Sequence, residues 1–249
     1  MPDERKRILI LGGTVEARNL ANTLVSRGRH DVITSFAGAT TTRKAPKGEI
    51  HVGGFGGTEG LRTFIERERI DLVADTTHPF AARISANAAA ASHAAGIACF
   101  RLDRPPWEPQ PGDDWRFVAD IDACVEAIPA GANVFVTVGR QEIGAFFARD
   151  DIRVVARMIE PPALEVPAHA ELVLARPPFS LDEERALIDD KKIDLLVSKN
   201  SGGESTRTKL TAARELGLPV IMIERPAKPA TVAASCVEDI ITLIDRHFA

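Results

Sequence analysis

The sequence contains no tyrosine. That excludes a reductase built on a Tyr–Lys pair, the arrangement of the short-chain dehydrogenases. A GxSxG nucleophile elbow, an HExxH helix and an aspartate-rich metal cluster are also missing. No nucleophile stands beside an evident base, so covalent catalysis has no support in the sequence. Cysteine is scarce, and Cys99, Cys124 and Cys236 lie far apart with no CxxC. This argues against a zinc or redox pair and fits a reducing cytosol. No apolar signal core, long apolar span or low-complexity tract occurs, so a cytoplasmic protein with no membrane segment is expected. Neither sign of charge dominates. A formal net charge of −4 over 249 residues marks neither nucleic acid nor an anionic membrane as a partner. Any basic site must be a local concentration.

What is present is alternation. Apolar runs of four to six residues exchange with helical patterns along the whole chain, the signature of βαβ units and parallel sheets. The pattern predicts strands at 7–11, 31–35, 49–52, 71–74 and 98–101, then at 134–138, 154–158, 172–175, 194–197 and 220–223. It predicts helices at 14–27, 57–69 and 79–95, then at 121–128, 141–148, 181–190, 204–216 and 237–247. The halves also resemble each other. "RIDLVADTTHPF" and "KIDLLVSKNSGG" begin their Ile-Asp-Leu at Ile70 and Ile193, 123 residues apart. "AAGIACFRLDRP" and "ELGLPVIMIERP" repeat at an offset of 121. The expected fold class is α/β, two tandem Rossmann-like doubly wound units covering 1–110 and 111–249. The proline-rich stretch Leu102–Trp115 is the joint, since prolines remove backbone donors and prevent a helix.

Open α/β sheets bind ligands at the carboxyl ends of their strands. "LGGTVEAR" follows the first strand as a degenerate GxGxxG turn. Gly12 and Gly13 allow the tight turn, Thr14 stands where the second motif glycine would be, and Ala17 takes the packing position. Thr14 either adds a hydroxyl to a phosphate or caps the helix. The second strand ends at Ser35, and no acid occurs from Val32 to Lys47. An NAD enzyme usually carries an acid there for the ribose hydroxyl. Arg43 and Lys44 favour a 2′-phosphate instead, hence NADPH; a solvated basic loop is the alternative. "VGGFGGTEG" is a second glycine-rich turn without the lysine of a P-loop, and Gly54 and Gly56 let its backbone form a cofactor-facing wall.

"DTTHPF" sits where the fourth strand meets the switch point of the sheet. Thr76 or Thr77 can cap the next helix, and Pro79 suits its first position. Neither role accounts for His78 or Phe80, which would lie near a bound nicotinamide or its phosphates. In the second half, Lys199, Asn200, Ser201 and Gly202 precede a helix carrying Arg207 and Lys209, and "VGRQE" adds Arg140. These residues make a basic pocket for a ligand with several carboxylates or phosphates. No metal is expected.

Taken together, "ILILGGTVEAR", "VGGFGGTEGL", "DTTHPFA", "RPPW", "VGR", "SKNSGG" and "TKLTAARELGLPVIMIERP" resemble the precorrin-6A reductases of cobalamin biosynthesis, in order and over nearly the whole chain. Thr76 stands where alanine is commoner. The resemblance implies an NADPH-dependent reductase of one double bond in an anionic tetrapyrrole, precorrin-6A, with the site in a cleft between two Rossmann-like domains. It implies that the first domain binds NADPH and the second faces the macrocycle. It leaves His78 and Lys199 as candidates for donating a proton or orienting the reactants. A cobalt-containing substrate and a non-catalytic two-lobed nucleotide- or anion-binding protein are the alternatives. The sequence does not set the oligomeric state; a monomer is compatible with it.

Overall fold

The computed structural model describes residues 5–36 and 45–249. Its first run of elements is β1 (Lys6–Leu11), α1 (Val15–Arg27), β2 (His30–Phe36), β3 (Glu49–Val52), α2 (Gly57–Arg67), β4 (Leu72–Asp75), α3 (Ala82–Ala94) and β5 (Ala98–Leu102). The helix α1 shows why these segments fold as they do. Ala17, Leu20, Ala21 and Leu24 recur at helical spacing and are fully buried. The Thr14 side chain accepts from the Ala17 N–H at the start, and Gly28 closes the end at φ 68.

The second run is β6 (Trp115–Val118), α4 (Ile121–Ala127), β7 (Asn133–Val136), α5 (Ile143–Phe147), β8 (Arg153–Met158), β9 (Ala170–Leu174), α6 (Leu181–Asp190), β10 (Leu195–Lys199), α7 (Thr208–Glu215) and β11 (Val220–Ile223). A single 3-10 turn, Glu204–Thr206, precedes α7. The start of α6 is a capping box: the Ser180 hydroxyl accepts from the Glu183 N–H while the Glu183 carboxylate accepts from the Ser180 N–H. The chain ends with β12 (Val232–Ala234) and α8 (Val237–His247).

All strand pairs are parallel. The first sheet runs β12-β5-β4-β1-β2-β3 and the second β6-β11-β10-β7-β8-β9. Each contains the doubly wound 3-2-1-4-5 order, with its topological switch between the first and fourth strands of that order. The sixth strand of each sheet is supplied out of turn. After β5 the chain goes to β6, which pairs with β11; after β11 it goes to β12, which pairs with β5.

This exchange corrects the expected division of the chain. The compact units are 1–105 with 227–249, and 106–226, rather than 1–110 and 111–249. In the first unit α8 buries Ile240, Ile241 and Ile244 in a core with Leu20, Leu24, Phe100 and Ala234. Periodicity reveals that a helix exists over 237–247 but not which sheet it covers. Neither β6 nor β12 carries a run of buried apolar residues, and β12 is three residues long, so neither announces itself as a strand. Trp115, expected at the end of the joint, opens β6.

Candidate active site

In each unit the candidate side chains stand at the carboxyl ends of the strands. In the first, the Gly12 N–H donates to the Ser35 carbonyl at 2.8 Å. A side chain at Gly12 would meet that oxygen at 3.0 Å and the Thr34 methyl at 3.1 Å, so this glycine is required by the approach of β1 to β2. Gly13 follows at φ 127. The Thr14 hydroxyl accepts from the Ala17 N–H and commits its one hydrogen to the Thr76 carbonyl at 2.9 Å. Of the two readings of Thr14, the structure supports the cap. Ser35 is buried where β2 ends. Arg43 and Lys44, expected at the 2′-phosphate, lie outside the described residues.

The second glycine turn is held by its phenylalanine. Phe55 stacks on His51 at 5.0 Å and meets Phe64 edge-on, and its carbonyl lies so close to Gly60 that a side chain there would overlap it. Gly53, Gly54, Gly56 and Gly57 face open space. The helix α2 starts behind Gly56 with no side-chain cap, so its first N–H groups carry no capping side chain.

The switch-point loop is laced together by hydroxyls. Thr76 donates through both its N–H and its hydroxyl to the Leu11 carbonyl, tying the end of β4 to the end of β1. The buried Asp75 carboxylate accepts from the Thr77 hydroxyl at 2.6 Å and the Thr77 N–H at 3.2 Å. The two threonines therefore do not cap α3, and Pro79 does not start it. The helix begins at Ala82 behind a turn closed by Ala81 N–H on the His78 carbonyl, because the hydroxyls bond backward into the sheet. His78 is exposed and Phe80 half-buried. His78 Nδ1 accepts from the Phe80 N–H at 3.2 Å.

Three cations at this edge escaped the sequence reading. Arg104 pairs at 2.9 Å with Glu16, the acid in the first turn of α1, and so balances a negative charge at a helix start. Arg101 donates to the Pro229 carbonyl at 2.8 Å, and Lys228 Nζ reaches the His78 carbonyl at 3.4 Å. Lys228 and Pro229 belong to the returning segment, which no local pattern places here. Arg101 and Arg104 had a signal, since they flank the end of the fifth strand.

In the second unit, Lys199 ends β10 almost fully buried and pairs at 2.6 Å with Glu142, the acid of "VGRQE". Glu142 was legible as the acid two residues after Arg140. Arg140 pairs with Glu160 at 3.3 Å, and the exposed Arg207–Glu204 pair spans 3.4 Å. Ser201 is buried with its N–H on the Lys199 carbonyl, and Gly202 and Gly203 turn the chain at φ 64 and 85.

Two expected ligand contacts face inward instead. The Asn200 amide is occupied by the backbone of Trp107, Oδ1 accepting its N–H at 2.7 Å and Nδ2 donating to its carbonyl at 3.0 Å. Lys209 lies buried with Nζ 4.8 Å from the centre of the Trp107 ring, donating to the Thr206 carbonyl. Burial, reinforced by Arg157 and opposed by Glu184, pulls its ammonium down to about 7. Arg157 itself forms a buried bidentate pair with Glu184 and lies over the Phe135 and Phe179 rings. Burial pushes the Cys99 thiol up to about 11 and Cys124 up to about 12, so neither is a thiolate nucleophile near neutral pH. No group of acidic, histidine or cysteine side chains among the described residues has metal-holding geometry. Among the described residues no helix is long and apolar enough to cross a membrane.

The family model "Precorrin-6x reductase CbiJ/CobK" matches residues 7–245. A precorrin-6A reductase of Rhodococcus erythropolis is 44% identical over 235 residues, 94% of each chain. One from Sinorhizobium sp. is 46% identical over 243 residues, 94% of this chain and 91% of its own. The solved structure of CobK precorrin-6A reductase superposes with a TM-score of 0.92 at 41% identity, over 97% of both chains.

Proposed function

The chain belongs to the precorrin-6x reductase family, and on that premise we propose that it reduces one double bond of precorrin-6A, giving precorrin-6B in cobalamin biosynthesis, with NADPH as reductant. The observation that carries this is the extent of the match. It runs over 7–245 and so takes in the carboxyl-end loops of both sheets, not one glycine motif.

NADPH supplies a hydride when bound. The residues of the first unit fit a dinucleotide. The Gly12–Thr14 turn leads into α1, and the open backbone of Gly54 and Gly56 fronts a helix start with no capping side chain. Ala17 keeps α1 packed close to β1. In the sequence, Ser35, Arg43 and Lys44 follow the second strand in a stretch without an acid, which suits a ribose 2′-phosphate. Thr77, with Asp75, sets the turn that presents His78, Pro79 and Phe80. Phe80 offers an apolar surface for a ring, and the exposed His78 an imidazole beside it.

In the second unit Arg140, Lys199 and Arg207 are the cations for the carboxylates of the macrocycle, with Ser201 and Gly202 shaping the loop between them. Each cation already carries a carboxylate of its own chain, so the substrate either shares the cation or displaces that partner. Asn200 and Lys209 act from behind the loop. The proton that complements the hydride comes from Lys199, which Glu142 orients, or from His78.

The test is a fluorescence titration with NADPH and NADH, followed by turnover at ~340 nm with precorrin-6A and with its cobalt form. The expected result is much tighter binding of NADPH and oxidation only when the metal-free macrocycle is present. Turnover with the cobalt form alone would reassign the substrate. Binding of neither nucleotide would remove the reductase reading.

A further inference from the structure

The loop from Lys199 to Gly203 contains two successive glycines at positive φ, and the 3-10 turn after it has no side-chain cap. Its internal bonds include a Ser201 N–H to Lys199 carbonyl contact at 2.7 Å and a long Ser201 hydroxyl contact to the Gly202 carbonyl at 3.5 Å. Glycines at such positions keep many conformations open unless the surroundings choose one.

Several constraints on this loop come from one neighbour. Trp107 engages this segment and the helix after it at four points. Its N–H and carbonyl are both paired by the Asn200 amide, as an adjacent strand would pair them. Its indole Nε1–H donates to the Gly203 carbonyl at 3.1 Å. Its ring lies under the Lys209 ammonium. The ring is anchored in turn, buried among Phe135, Ile188, Leu210 and Met222. Asn200 is also held by its own sheet, its N–H donating to the Ile223 carbonyl at 2.9 Å, and by Arg225, whose Nε donates to its carbonyl at 2.8 Å. Both ends of the loop, Asn200 and Gly203, are therefore fixed to a single rigid side chain and its backbone.

We infer that Trp107 is a positioning residue for substrate recognition: it sets the shape in which Lys199, Ser201 and Gly202 meet the macrocycle, without touching it. This rests on the reading that the Lys199–Gly203 loop holds the macrocycle. Pre-organisation predicts where the cost of losing Trp107 falls. A loosened loop spends binding energy on ordering itself, so the penalty appears in substrate affinity and not in the dinucleotide site.

The experiment compares Trp107→Phe, Trp107→Ala, Asn200→Ala and Lys199→Ala in the full-length protein. It reads KM for precorrin-6A, kcat, Kd for NADPH, and hydrogen exchange over residues 199–204. Trp107→Phe keeps the ring and loses one neutral hydrogen bond, so KM should rise about fivefold. Asn200→Ala strips two bonds from buried backbone and should raise KM by more than about tenfold, with faster exchange confined to the loop. Trp107→Ala should exceed Trp107→Phe, the conservative variant recovering part of the loss. Kd for NADPH should stay within about twofold in all of these, since the substitutions lie in the other unit. An unchanged KM in Trp107→Phe and Asn200→Ala, beside a raised KM in Lys199→Ala, would overturn the positioning role while keeping the loop as the macrocycle site. An unchanged KM in Lys199→Ala would overturn the macrocycle reading and the positioning role with it. A fall in NADPH affinity parallel to the rise in KM would mean that Trp107 serves overall stability only.

Discussion

The two units are nearly superimposable in logic at the amino ends of their strands and unlike at the carboxyl ends. Before β4, Arg69 turns the chain at φ 50; before β10, Lys192 does so at φ 52. These two alone among the described non-glycine residues have positive φ, and they stand 123 residues apart, the offset of the repeated Ile-Asp-Leu. Next, Asp71 closes a two-bond clasp with the backbone of Arg7, and Asp194 closes the same clasp with Asn133. The Ile70 and Ile193 N–H groups return to the Ile65 and Ile188 carbonyls. At the other ends the likeness stops. The first unit places a buried acid, Asp75, among threonine hydroxyls; the second places a buried cation, Lys199, against Glu142. Contacts that fold a βαβ unit are repeated, and contacts available to ligands have diverged.

The comparison breaks most severely if the exchanged sixth strands are removed. Deleting 227–249 takes away β12 and α8, exposing the face of the first core that Ile240, Ile241 and Ile244 cover. Each buried isoleucine contributes roughly 1.5–3 kcal/mol against a total stability of about 5–15 kcal/mol. The expected outcome is a first unit that no longer folds, read as lost cooperative unfolding and rapid proteolysis within residues 5–105. A truncated chain with an intact first transition would show that β5 can stand as an edge.

The second unit has its own weak point, a buried charge pair. Glu184 is fully buried and holds Arg157 with two bonds. Glu184→Ala leaves a guanidinium without its carboxylate and should cost about 3–5 kcal/mol in urea unfolding. A loss under about 1 kcal/mol would mean that the two aromatic rings around Arg157 suffice.

How much of this was legible in the sequence follows the same division. The repeated Ile-Asp-Leu and Gly-Ile/Gly-Leu turns announced the duplicated scaffold because strand starts depend on local pattern. The glycine turns and "SKNSGG" marked loops at the carboxyl ends of the strands, and the structure places them there. The exchange of β6 and β12 was not legible, since four- and three-residue strands carry no periodicity that names their sheet. Nor were the roles of Asn200 and Lys209, whose polarity suggested ligand contact. Their direction is set by Trp107, more than 90 residues earlier in the chain. Composition can mark a loop as polar; only packing decides which of its side chains turn inward.

A pair of glycine substitutions sharpens the contrast between folding and ligand positions within the first unit. Gly12→Ala presses a methyl on the Ser35 carbonyl and the Thr34 methyl and should cost about 1–3 kcal/mol in stability. Gly54→Ala meets nothing within 4 Å and should leave the melting temperature alone. If the Gly54 backbone faces the cofactor closely, the same substitution raises Kd for NADPH about tenfold, a loss near 1.4 kcal/mol. Unchanged NADPH affinity would make that turn a spacer between β3 and α2.

The smallest effect concerns Lys209. Its folded-state value of about 7 lies below the 10.5 of an exposed lysine. Between those values the unfolded chain binds a proton that the folded chain does not, so stability attributable to this group rises with pH from about 7 toward 10. Below 7 both states are protonated, and the full cost of burying the ammonium is felt. Lys209→Met removes the titration while keeping a side chain of similar length over Trp107. The variant should therefore gain most in melting temperature relative to the natural chain near pH 6, and the gain should shrink as the pH rises from 7 to 9. A gap that stays constant from pH 6 to 9 would mean that the Trp107 ring and the Thr206 carbonyl keep the ammonium charged, so that the brace on the loop includes a permanent cation.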